Sequence, residues 1–279
     1  MIESRVQAAG LSLCVCRWSG GSGVPVLLLH GFLEQGAAWN GVGSRLARHL
    51  GRDVHAPDHR GHGRSDHVGR GGFYHFWNYV ADVDALVAHL GGTVDLVGHS
   101  MGGTMASLFA GTRPEAVRRL VLVEGLGPPD LESRALSVAR YFLDGHRRPP
   151  RHPVMASPEA AAQRMQRYNP ALDDAEALRL ASRILRPVEG GVTWAWDPLH
   201  RARNPYPFQQ RLFVRFLEAI TAPVLLVDGA DSPFAAATDP SRREHLANAH
   251  HVEVPGAGHL LHHDQPEALA HVIGDFLAR

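Results

Sequence analysis

Lysine is missing from this 279-residue chain: all 28 basic charges are arginine, and 28 acidic residues balance them. With a formal charge of zero and a pI near 7.4, the chain has no surplus of positive charge to draw it to a phosphate backbone, so nucleic acid is not an expected partner. Cysteine is scarce too. Cys14 and Cys16 are the only two, and at that spacing on a strand they face the same side, a poor geometry for bridging each other. A reducing compartment is the expectation. No apolar run approaches the ~20 residues of a membrane span, and no basic start followed by an apolar stretch opens the sequence. We therefore expect a cytoplasmic protein with no membrane partner. Histidine is plentiful at nineteen residues, yet no Cys-x-x-Cys pair and no helical His-x-x-x-His gives metal-ligand spacing. Even His59 and His62, close in one loop, lack a carboxylate or cysteine partner at a suitable distance in sequence, so no metal is expected.

What is present centres on Val94-Asp95-Leu96-Val97-Gly98-His99-Ser100-Met101-Gly102-Gly103. An apolar run with strand character meets a Gly-x-Ser-x-Gly pentapeptide, and a helix-compatible run follows from Met101 to Ala110. Such a strand, tight turn and helix form a nucleophile elbow, in which the serine is pushed to the tip and the glycines admit a crowded backbone. Ser100 is thus the candidate nucleophile. The helix after it turns free N–H groups toward any anion formed there.

The remaining chain alternates strands and helices. Glu3 to Ala8 and Leu11 to Arg17 read as an antiparallel hairpin; Val24 to Leu29 is almost continuously apolar, as a strand buried on both faces must be. It ends in His30-Gly31-Phe32, where a glycine permits a sharp turn at the sheet edge. The N–H groups of Phe32 and Met101 are the expected oxyanion donors. A helix from Trp39 to Leu50, a strand at Val54 to Pro57 and a helix from Phe76 to Leu90 lead to the elbow, and Leu120 to Val123 is a further buried strand ending at Glu124-Gly125. Then the pattern changes. Residues 126–219 hold proline clusters, arginine-rich loops and amphipathic helices without a clear buried strand, which reads as a helical cap. Its aromatic residues, Trp194 and Trp196 among them, either line a pocket or form the cap's own core. Strands resume at Pro223 to Val227 and His251 to Val254, and Pro266 opens a last helix. His259, in the glycine-rich loop past the final strand, is free to reach over the sheet edge to Ser100. The expectation is an α/β protein with a mostly parallel sheet: a core of residues 1–125 and 220–279, and a cap of residues 126–219 inserted before the last two strands.

The whole resembles an α/β-hydrolase. His30-Gly31-Phe32 is similar to that family's oxyanion loop, and Asp58-x-Arg60-Gly61-x-Gly63-x-Ser65 to the motif after the next strand. Gly98-x-Ser100-x-Gly102-Gly103 resembles its elbow, and Gly258-His259 followed by Pro266-Glu267 its histidine loop. The cap exit, Gly190 to Pro198, resembles the serine hydrolase-like branch in particular. A serine at the elbow points away from the branches in which a carboxylate attacks. The resemblance implies a triad of Ser100, His259 and an acid. The position at which the family usually carries the acid is Ser232 here, while Asp231 lies one residue early; some branches place the acid straight after the strand before the cap, where Glu124 stands. Glu124 is the favoured acid and Asp231 the alternative. His30, His99, Trp194 and Trp196 are the expected substrate contacts. Together these features imply hydrolysis of an ester or related acyl bond in a small, largely apolar substrate, without cofactor, by a monomer or homodimer. Carbon–carbon bond hydrolysis, thioester cleavage and cofactor-free perhydrolysis use the same three groups, and a non-catalytic small-molecule binding protein on this fold is the remaining alternative.

Overall fold

A computed structural model describes residues 1–279 apart from 70, 168, 169, 171, 203, 205 and 235–239. The apolar runs become the strands of one sheet: β1 (Ile2–Ala8), β2 (Leu11–Trp18), β3 (Val26–Leu29), β4 (Val54–Pro57), β5 (Val94–His99) and β6 (Val117–Val123). Between them lie α1 (Asn40–Leu50), α2 (Phe76–His89) and α3 (Met101–Thr112). After β6 come α4 (Ala135–Arg147), α5 (Pro158–Gln166), α6 (Asp174–Arg183), the strand pair β7 (Leu185–Val188) and β8 (Gly191–Trp194), and α7 (Gln210–Glu218). Strands β9 (Val224–Gly229) and β10 (Ala249–Val254) and helix α8 (Pro266–Ala278) complete the chain. The eight-stranded sheet runs β1-β2-β4-β3-β5-β6-β9-β10. Only the β1-β2 and β2-β4 pairs are antiparallel.

Alternation along the central strands explains their continuous hydrophobicity. Leu27 and Leu29 of β3, Leu96 of β5 and Leu120 and Leu122 of β6 pack toward α2 and α3. Their neighbours Val26, Leu28, Val97, Val121 and Val123 pack toward α1 and α8. Each residue so removed from water contributes roughly 1.5–3 kcal/mol, and no polar side chain fits at such positions without a partner. The sheet order reverses at β3, whose neighbours β4 and β5 leave in opposite directions. A crevice must therefore open at the carboxyl end of β3, and loops after β3, β5, β6, β9 and β10 all reach it.

The segment between β6 and β9 carries its own apolar cluster, in which Met155, Ala161, Ala177, Leu180, Trp194 and Trp196 pack over Ala38. One feature departs from the helical expectation for this stretch: β7 and β8 form an antiparallel ribbon. Gly190 at φ 81° and Gly191 at φ 146° supply the turn that joins them. No helix among the described residues is long and apolar enough to cross a membrane.

Both cysteines are free and buried. Burial, reinforced by the Asp58 charge and by Cys14, pushes the Cys16 thiol up to about 12. Titration with a disulfide reagent at neutral pH should accordingly find no fast-reacting thiol in the native protein and two after denaturation.

Candidate active site

The elbow is built from backbone crowding. A Cβ on Gly98 would lie 2.4 Å from the Gly102 carbonyl oxygen, one on Gly102 2.3 Å from that of Leu29, and one on Gly103 2.4 Å from that of Gly125. Glycine alone lets α3 press so closely on the ends of β3 and β6. The turn leaves Ser100 at φ 51° and ψ −114°, a conformation that costs a side-chain-bearing residue roughly 1–3 kcal/mol. Hydrogen bonds offset this cost: Ser100 N–H donates to the Val123 carbonyl at 3.0 Å, and the Ser100 carbonyl accepts from Gly103 and Thr104 N–H groups at 3.0 and 3.2 Å.

The Ser100 hydroxyl lies 3.1 Å from His259 Nε2. On the other side of that ring, Nδ1 lies 3.2 Å from Glu124 Oε2. Glu124 follows β6 directly, at φ 49°. Its Oε1 accepts from Gly229 N–H and its Oε2 from the Ser232 hydroxyl, each at 2.8 Å. Burial by itself would raise the Glu124 pKa, but the bonds from His259, Gly229 and Ser232 hold it below the usual carboxylate range. Nδ1 must then be the protonated nitrogen, which leaves the Nε2 lone pair facing the serine. The His259 ring stacks on Phe234, with centroids 4.1 Å apart. Near the serine, neither the Phe32 nor the Met101 N–H has an acceptor among the described residues. Chemically, the arrangement offers a nucleophile, a base for its proton, a counter-charge for the base, and two amides for a developing oxyanion.

Ser100, Glu124 and His259 open on a cavity of about 840 Å³. Phe32, Trp77, Phe208, Leu212, Phe213 and Phe216 form much of its wall. Two of the expectations from sequence fail here. Asp231 is exposed and does not reach His259; the neighbouring Ser232 turns inward instead, to Glu124. None of the four expected substrate contacts lines the cavity. His30 is buried beneath the oxyanion loop, where Nδ1 donates to the Gly31 carbonyl and Nε2 accepts from His59 N–H. His99 points away from the cavity, toward Glu34 and the His259 carbonyl. Trp194 and Trp196 belong to the apolar cluster of the cap segment.

The structure also brings in residues that sequence reasoning passed over. Ser232 was visible only as the place where a more common aspartate is missing. His200 lines the cavity; its Nε2 donates to the Gly61 carbonyl and its Nδ1 faces the Tyr79 hydroxyl. Glu34 joins His99 and His262, and these three bring potential metal-ligating atoms within 4.8 Å of one another, as do the exposed His49, His271 and Asp275. In the first group those atoms already bond one another directly, Glu34 to His99 at 2.9 Å and to His262 at 2.8 Å. We read it as a hydrogen-bonded network. His59 and His62 are likewise buried and engaged, His62 between Leu33 N–H and the Arg60 carbonyl. Burial lowers the His62 pKa to about 4 and so keeps that ring neutral.

A crossover sheet with a glycine-walled serine at its carboxyl edge defines a class, and comparison with known proteins agrees. The family model for the alpha/beta hydrolase fold matches residues 24–266, and the chain belongs to that family. It lies in the serine hydrolase-like branch, and it is a hydrolase. A serine hydrolase-like protein of Danio rerio is 31% identical over 93% of this chain and 83% of its own length. Among solved structures, a thioesterase domain from the curacin biosynthetic pathway is 34% identical with a TM-score of 0.88, covering 98% of this chain and 99% of that one. A hypothetical protein from Pseudomonas aeruginosa PAO1 is 32% identical with a TM-score of 0.86, covering 99% of each chain.

The geometry around His259 separates the two acid candidates. Glu124→Gln should lower turnover by about 10³- to 10⁴-fold, because the amide no longer balances an imidazolium, while Asp231→Asn should leave it nearly unchanged. Steady-state kinetics of the two variants, with circular dichroism to verify folding, makes the comparison.

Proposed function

We propose that this protein is a serine hydrolase that cleaves an ester or related acyl bond of an uncharged, largely apolar substrate through an acyl-enzyme. The observation that carries this reading is the run of hydrogen bonds from Ser100 through His259 to Glu124, ending in an apolar cavity. Ser100 Oγ attacks the carbonyl carbon as His259 Nε2 takes its proton. Glu124 holds the ring in the Nδ1–H tautomer and balances the positive charge it acquires. The oxyanion is met by the Phe32 and Met101 N–H groups, and the N-terminal end of α3 adds its favourable field. Collapse expels the leaving group, to which His259 returns the proton. Water then repeats the sequence on the acyl-enzyme and frees the acid. As written, these steps are served by three side chains and two amides, with no cofactor.

The cavity wall supports the choice of acyl group. No arginine is found among its described lining residues, so a substrate carboxylate would meet the Glu124 charge without a compensating cation. Its volume lies at the upper end of the roughly 300–1,000 Å³ of ordinary ligand pockets, far more than an acetyl group fills. Thioester cleavage is the second reading, favoured by the likeness to a thioesterase domain. The two differ only in the leaving group, since a thiolate departs with less help from the histidine.

A p-nitrophenyl ester series from acetate to long acyl chains, with matching acyl thioesters, tests both. The expected result is hydrolysis that improves from acetate toward longer chains and disappears in Ser100→Ala. Absence of serine-dependent turnover on every ester and thioester, together with failure of an alkyl phosphonate to label Ser100, would overturn the proposal.

A further inference from the structure

We infer that Glu34 is a positioning residue for the Ser100–His259 pair: its part-buried carboxylate, paired with a cationic His99, ties the oxyanion loop, the end of the nucleophile's strand and the histidine loop to one point. The inference goes beyond the hydrolase reading but rests on it, because it concerns the same three loops.

The connections are direct. Glu34 Oε2 accepts from Gly31 N–H at 2.8 Å, which fixes the chain just before the Phe32 amide. The same oxygen lies 2.9 Å from His99 Nδ1, and His99 is the residue before Ser100. Glu34 Oε1 lies 2.8 Å from Nε2 of His262, on the helical turn that follows His259. His99 Nε2 in turn donates to the His259 carbonyl at 2.8 Å. Gly31 has no alternative side chain here: a Cβ would lie 2.5 Å from Glu34 Oε2 and 2.8 Å from His99 Nδ1. Glu34 itself stands outside the cavity wall.

Among the buried histidines described, proton counting sets His99 apart. His30, His62 and His200 each place one ring nitrogen against a donor and the other against an acceptor, which a neutral imidazole satisfies. His99 faces a carbonyl on one side and a carboxylate on the other, so both of its nitrogens must donate when Glu34 is ionised. The electrostatics point the same way. Burial alone would lower the His99 pKa, yet the Glu34 charge raises it; burial alone would raise that of Glu34, yet the imidazoles of His262 and His99 hold it well below the usual range. The pair has side-chain exposures of 1% for His99 and 16% for Glu34, so little solvent stands ready to replace either partner. The His99 and His259 rings are 4.9 Å apart, close enough for a shift of one to move the other.

The test uses the full chain and the variants Glu34→Gln, His99→Gln and the double variant. Glutamine at position 34 still accepts from Gly31 N–H but no longer balances an imidazolium. We expect kcat to fall by up to about 100-fold with KM little changed, the size of effect a misplaced reacting group produces. The double variant should be no slower than the worse single variant, since both changes break one connection. Nitrogen-15 NMR of the histidine rings reads the charge independently of any substrate. One buried imidazole should carry protons on both nitrogens at a pH where solvent-exposed histidines are neutral, and that signal should vanish in Glu34→Gln. A His99 ring with a single proton, multiplicative losses in the double variant, or an unchanged kcat in a folded Glu34→Gln would each overturn the inference. If Ser100 proves catalytically idle, the hydrolase reading fails; the NMR signature would still report on the pair.

Discussion

Close backbone contact at the end of β5 is the constraint on which the rest of the site depends. Strand β5 is hydrogen-bonded to β3 on one side and β6 on the other, so its end cannot shift to relieve crowding. Helix α3 must start there with its first turn against the carbonyls of Leu29 and Gly125, at distances that exclude any Cβ on Gly102 or Gly103. Ser100 is left at the tip with a positive φ, its hydroxyl presented to the crevice and its neighbour's amide free. The buried sheet on both sides supplies the stability that pays for this strain, and a rigid serine is the result.

The carboxylate beside His259 shows how one geometry can be reached from a different strand. In this chain the carboxylate comes from the end of β6, and a serine stands on the β9 loop where the family more often has the acid. Ser232 is not a vacant position: its hydroxyl donates to Glu124 Oε2, and Gly229 N–H from the same loop donates to Oε1. The β9 loop thus still contacts the carboxylate beside His259, through hydrogen bonds to Glu124. Glu124 also has a positive φ, so two strained non-glycine residues stand at the ends of adjacent strands. Both point into the crevice from the same sheet edge.

Residues with steric reasons were readable from sequence, and residues with relational reasons were not. The glycines around Ser100 declare themselves because no other residue fits, and the buried strands because both of their faces must be apolar. That was enough for the fold, and for expecting Ser100, His259 and the His30-Gly31-Phe32 turn at one sheet edge, where the structure brings them together. The expected substrate contacts failed for a different reason. His30 and His99 are near the serine in sequence, but a strand-end side chain can point above or below the sheet edge, and only the packing decides which. Trp194 and Trp196 pair a cap segment with itself, because α5, α6 and the β7-β8 ribbon have an apolar face to cover. The true wall comes from aromatic residues of α2, α7 and the loop before α7, which no local pattern separates from ordinary core. The β7-β8 ribbon is hard to read from sequence because its strands are only four residues long and lie among prolines and arginines.

Histidine use shows the same dependence on tertiary context. Most of the buried imidazoles described here are discouraged from ionising by their burial, and three of them, His30, His62 and His200, are each satisfied by one donor and one acceptor. His259 differs in turning one ring nitrogen to the Ser100 hydroxyl and the other to Glu124. His99 is the exception, placed between two acceptors, and Glu34 is what makes its charge tolerable. His99 is thus tied by hydrogen bonds to Glu34 on one side and to the His259 carbonyl on the other, and so holds the histidine loop to the oxyanion-loop segment. Two carboxylates, from the β3 and β6 loops, thereby meet two adjacent histidines, and the arrangement follows from which ring nitrogens face donors and which face acceptors.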